Sequence, residues 1–97
     1  MVRALKEKPW KNYIENYTVI CVTDGTYGAR LKEGTFDEAL QKILSKSQVL
    51  EESPGEYYKV RFNDIDIVIF NPTRTLIFIS LGEKYDRIED FLKELFS

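Results

Sequence analysis

Three sets of residues in this chain have types and spacing that could do chemistry. The first interleaves aromatic and basic side chains: Tyr17, Tyr57 and Phe70 with Arg30, Lys32, Lys59 and Arg61. Gathered on one surface, such a set could stack unpaired bases and follow phosphates, because every base has a π-face and every nucleotide a negative charge. Tyr and Arg are also enriched where proteins meet proteins, and a net charge of −2 favours a protein partner over a polyanion. The second set is Asp64 and Asp66, joined by Asp24, which could offer oxygen ligands to Mg²⁺ in a nuclease-like site. Asp64 is better explained as a turn former and Asp66 as the partner of Arg61, and no Glu-x-Lys motif on an adjoining strand completes such a site. The third is Cys21, a nucleophile only if a neighbouring base or positive field makes it a thiolate.

Histidine is absent, which removes the commonest general base near neutral pH and the commonest transition-metal ligand. Cys21 therefore reads as a small packing residue. Gly25-Thr26-Tyr27-Gly28 lacks the spacing and trailing lysine of a phosphate-binding loop. No catalytic residue, metal ligand or cofactor is expected.

These residues must be held by one domain, since 97 residues bury a single core comfortably and two poorly. The single cysteine excludes an internal disulfide, and no stretch is long and apolar enough to cross a bilayer. With Arg3, Lys6, Glu7 and Lys8 interrupting any apolar leader, a cytoplasmic protein without membrane contact is expected. Abundant Lys, Glu, Ile and Tyr give the composition a thermophile-like cast, of a kind that suits an archaeon or one of its viruses. Residues 1–12 read as a basic N-terminal arm, with Trp10 as its anchor, and 13–97 as the single domain.

The elements follow from pattern. A β-branched run from Tyr17 to Thr23 predicts a strand, and Asp24-Gly25 a two-residue turn into a second strand, Thr26 to Lys32. Thr35 with Glu38 forms a potential capping box ahead of an amphipathic helix carrying Phe36, Ala39, Leu40, Ile43, Leu44 and Ser47 on one stripe. A polar loop through Ser53-Pro54-Gly55 precedes a strand over 56–62 and another over 65–70, hinged on Asn63-Asp64. A fifth strand spans 75–81, and Asp86 with Glu89 would cap a second helix bearing Ile88, Phe91, Leu92, Leu95 and Phe96. The expected fold is a two-layer α+β sandwich, ββαβββα, with a five-stranded antiparallel sheet and both helices on one face.

Two-residue turns fix cross-strand partners, and partners share a face. The expected pairs are Ile20 with Ala29, Val22 with Tyr27, Phe62 with Ile65, Val60 with Ile67 and Tyr58 with Ile69; being apolar, they should lie under the helices. The other face would then carry Tyr17, Val19, Arg30, Lys32, Tyr57, Lys59, Arg61, Val68 and Phe70, with either Ile77 and Ile79 or Leu76 and Phe78 from the fifth strand. Two short helices cover only one side of a sheet, and a patch this apolar marks an interaction site. The function expected is a small non-enzymatic protein-interaction module, a homodimer or the binder of another protein, with a regulator or inhibitor of host or viral origin as its natural role. The alternative is a sequence-tolerant binder of single-stranded nucleic acid using the same face.

Overall fold

The computed structural model describes residues 9–96. A 3-10 turn at Pro9–Asn12 leads into β1 (Ile14–Cys21) and β2 (Thr26–Leu31), followed by α1 (Phe36–Lys46). Four consecutive strands come next: β3 (Gln48–Ser53), β4 (Tyr57–Phe62), β5 (Ile65–Phe70) and β6 (Thr75–Ile79). A short 3-10 turn, Leu81–Glu83, connects β6 to α2 (Ile88–Leu95). Of the expected basic arm, Arg3, Lys6, Glu7 and Lys8 lie outside the described residues; Trp10 is buried in the core beside Tyr13 and Ile14.

The sheet is wholly antiparallel, in the order β1-β2-β6-β5-β4-β3. It has six strands rather than the five expected. The added strand, β3, occupies the stretch read as a polar loop. Five of its six residues are exposed and a bulge between Val49 and Glu51 breaks its alternation, so neither burial nor period 2 betrays it in the sequence.

The second turn forms as expected. Asn63 and Asp64 both take positive φ, 51° and 64°, as a type I′ turn requires. Phe62 then faces Ile65, Val60 faces Ile67 and Tyr58 faces Ile69.

The first turn does not. Residues 22–25 form a wider loop in which the Gly25 amide donates to the Cys21 carbonyl at 3.0 Å. Asp24 Oδ1 accepts from the backbone N–H and the hydroxyl of Thr26, at 3.1 and 2.8 Å, while the Ser80 hydroxyl donates to Oδ2 at 3.3 Å. Gly25, at φ 71°, lies directly against Gly82, whose amide donates to the Gly25 carbonyl at 3.1 Å. The loop is therefore shaped by a tertiary partner after β6. Val19, not Val22, pairs with Tyr27, and Tyr17, not Ile20, pairs with Ala29. The shift turns strand β1 over.

One hydrophobic cluster joins Ala29, Leu31, Val60, Ile65, Ile67, Ile69, Leu76 and Phe78 of the sheet to Ala39 and Ile43 of α1 and to Ile88, Phe91, Leu92 and Leu95 of α2. Phe91 packs edge-on against Phe62, Phe78 and Tyr85, with ring centroids 5.1–5.8 Å apart. The Lys46 ammonium donates to the Glu94 carbonyl at 3.1 Å, linking the helices. Neither expected capping box forms. Glu38 instead accepts from the Tyr13 hydroxyl at 2.7 Å, and Glu89 from the Tyr17 hydroxyl at 2.8 Å. The two carboxylates tie the helices to the first strand and its approach.

Candidate interaction surface

The cross-strand registers assemble the uncovered face as three rows. The middle row runs Thr18, Gly28, Ile77, Val68, Lys59, Glu51. One flanking row runs Asn16, Arg30, Thr75, Phe70, Tyr57, Ser53, and the other Ile79, Asp66, Arg61, Gln48. Six expected site residues thus come together: Arg30, Tyr57, Lys59, Arg61, Val68 and Phe70. The register of β6 places Ile77 and Ile79 here and Leu76 and Phe78 in the core.

Three expected residues stand elsewhere. Tyr17 and Val19 pair with Ala29 and Tyr27 and so belong to the helix-covered side, because the four-residue loop reversed the strand. Lys32 lies just past the end of β2, its amide bonded to the Tyr13 carbonyl at 2.7 Å. Tyr17 and Lys32 meet instead with Trp10, Lys11 and Asn16 around a surface hollow of about 460 Å³.

The reversal of β1 brings Ile20 to the open side, a residue expected in the core. It is 56% exposed, and its Cδ1 lies only 2.8 Å from where a Cβ on Gly28 would stand. Ile20 and Ile77 both close over Gly28, and a Cβ there would require only the exposed end of Ile20 to move. Ile20, Ile77, Ile79, Val68 and Phe70 therefore make an apolar strip over β1, β6 and β5, with Phe70 39% and Ile79 38% exposed, flanked by Arg30 of β2 and Asp66 of β5.

Apart from Arg30 on β2, the charges of this face stand on β5, β4 and β3 and largely answer one another. Arg61 Nε donates to Asp66 Oδ1 at 2.7 Å, the ion pair expected across the second hairpin. That contact lowers the Asp66 carboxyl below the usual carboxylate range and raises Arg61 further. The Tyr57 hydroxyl donates to the Glu51 carboxylate, which lifts its own pKa above that of ordinary tyrosine. Glu51 also stands opposite Lys59. Missing β3 in the sequence meant missing Glu51 on this face, and with it a second acid beside Asp66.

The remaining chemistry is accounted for locally. Asp64 occupies the left-handed turn and meets Lys84 at 3.5 Å; Asp24 is held by Thr26 and Ser80. Among the described residues no group of three or more His, Cys, Asp or Glu side chains is placed to hold a metal ion. Cys21, read as a packing residue, is instead exposed at the end of β1, where the wide first loop begins. No helix among the described residues is long and apolar enough to cross a membrane. Compared with protein-family models, curated proteins and solved structures, the chain matches none.

Proposed function

We propose that this protein is a small non-enzymatic interaction module that works as a homodimer, with its uncovered sheet face or edge as the contact surface. One observation carries the reading: Val68 and Ile77 pair across β5 and β6, with Ile79 and Phe70 next to them on the same face, which is turned away from the helix-packed core. Apolar patches of this kind mark contact sites, and aromatic and arginine side chains on the same surface are the usual anchors. Since Arg61 and Tyr57 are engaged by Asp66 and Glu51, the face offers a neighbour more apolar area than free positive charge. A cytoplasmic regulator or inhibitor, encoded by a host or a virus, is the role that fits a binding surface without catalytic groups.

Light scattering at low micromolar concentration tests the homodimer. The expected mass is twice that of the chain, and a strict monomer at every concentration refutes it. A second reading draws on the Tyr57–Phe70 cross-strand pair flanked by Lys59 and Arg30: a sequence-tolerant platform for single-stranded nucleic acid. Its test is titration of labelled single strands at two salt concentrations. Salt-dependent binding that a Lys59→Glu, Arg61→Glu variant abolishes would support it; absence of binding near physiological salt would end it.

A further inference from the structure

We infer that β1 is the edge on which a second copy of this chain docks, strand against strand and antiparallel, merging two six-stranded sheets into one. The inference rests on the homodimer reading and assigns that contact to an edge, leaving the open face free.

Among the described residues the sheet ends in two strands with an unpaired side, β1 and β3. Monomeric proteins blunt such edges with charge, proline or bulges, since bare N–H and C=O groups invite another strand. Edge β3 is blunted in all three ways. It carries Glu51 and Glu52 side by side, is bulged after Val49, and is followed by Pro54. Pairing β3 with its own copy would set carboxylates close to carboxylates.

Edge β1 is bulged near each end but has neither charge nor proline along its central run. From Asn16 to Cys21 it holds no charge and no proline. Its irregularities fall between Ile14 and Asn16 and between Val19 and Cys21, leaving Asn16–Val19 as regular strand. Val19 and Ile20 are exposed there, and Val22 beyond the strand is 82% exposed.

A second copy fits this edge because its own β1 offers the same uncharged run. A two-fold axis through Thr18 sets Thr18 opposite Thr18, Tyr17 opposite Val19 and Asn16 opposite Ile20. The first two are hydroxyl–hydroxyl and aromatic–β-branched pairs of the kind that stabilise antiparallel strands, the third sets an amide beside an apolar side chain at the end of the regular run, and no like charges meet. The same axis joins the apolar halves of the two open faces, with Ile20 and Ile77 of both copies near the middle and the Arg61–Asp66 pairs toward the ends.

The test uses the full chain and sedimentation equilibrium. Thr18 is exposed, so Thr18→Lys should leave the far-ultraviolet circular dichroism of the fold unchanged. It would place two ammonium groups face to face across the axis, weakening the dimer about tenfold or more. Phe70→Lys, on the open face, should leave the dimer intact. Oxidation of Thr18→Cys in a Cys21→Ser background should give a covalent dimer, as directly paired strand positions lie within disulfide reach. A wild-type chain that never dimerises removes the homodimer reading and this inference together. A dimer that survives Thr18→Lys but dissociates with Phe70→Lys overturns the edge alone.

Discussion

Gly25→Ala should be among the most damaging small changes this chain can suffer, although it adds one methyl group to a surface loop. Two costs combine. The φ of 71° lies in the left-handed region, which costs a residue bearing Cβ about 1–2 kcal/mol. The new Cβ would also stand 2.4 Å from the Gly82 Cα and 2.5 Å from its nitrogen. Those are backbone atoms that cannot rotate away, so relief requires moving the first hairpin off the chain after β6, a further ~1–3 kcal/mol on the scale of an overpacked site. Together the expected loss is about 2–5 kcal/mol, or roughly 10–30 °C in melting temperature for a domain of this size. Two companions separate the contributions. Gly34→Ala has φ 86° but no atom within 4 Å of its Cβ, so it should carry only the backbone cost. Gly82→Ala has no left-handed φ but meets the Gly25 Cα at 2.8 Å, so it should carry only the contact cost. Chemical denaturation followed by the fluorescence of Trp10, the single and buried tryptophan, reads all three. If Gly25→Ala is no worse than Gly34→Ala, the docking of the loop on Gly82 is not a stabilising contact and the account of the first hairpin fails.

Three other outcomes are expected. The hydroxyls of Tyr13 and Tyr17 are raised above 10.0 chiefly by hydrogen bonds to Glu38 and Glu89, so their stabilisation is present below that pH and is lost as pH rises through the higher folded values. Alkaline titration of phenolate absorbance should show it, and Tyr17→Phe should cost about 1 kcal/mol near neutrality and remove part of the alkaline loss. The carboxyls of Asp24 and Asp66 are lowered below 3.8, mainly by Thr26 and Arg61; their contribution is present above that value and fades as pH falls through the lower folded values. Acid melts should therefore steepen below about pH 4, and Asp66→Asn, at an exposed ion pair, should cost no more than about 1 kcal/mol at neutral pH. Phe91→Ala, which empties the junction of Phe62, Phe78 and Tyr85, should cost about 3–5 kcal/mol by denaturation.

The two turns show what could be read from residue order and what could not. Asn63-Asp64 is self-contained: two residues that tolerate left-handed φ, flanked by Phe62 and Ile65, dictate the pairing of β4 with β5 down to the Arg61–Asp66 ion pair. Asp24-Gly25 carries a stronger local signal for the same geometry, yet Ser80 and Gly82 reshape it from more than fifty residues away. With that turn went the face of β1, and with the face went Tyr17, Val19 and Ile20. Strand β3 was illegible for a different reason, because an exposed edge strand with a bulge has no alternation to detect. The glutamates that matched capping boxes were readable as helix starts, and both helices begin near them; their actual partners, Tyr13 and Tyr17, are set by packing. The open face was legible where the second hairpin supplied it, and its charge balance was not, since Glu51 arrives on the unseen strand.

The pairing of β2 with β6 is the seam between a hairpin made before α1 and a meander made after it. Every other strand pair joins chain neighbours and closes a short loop, whereas Arg30 must find Thr75 across the whole of α1 and three strands. Loop-closure entropy is charged late, at that one zipper. The meander and the hairpin should each assemble quickly, and the rate of reaching the native state should follow changes along the β2–β6 border more closely than changes within either half.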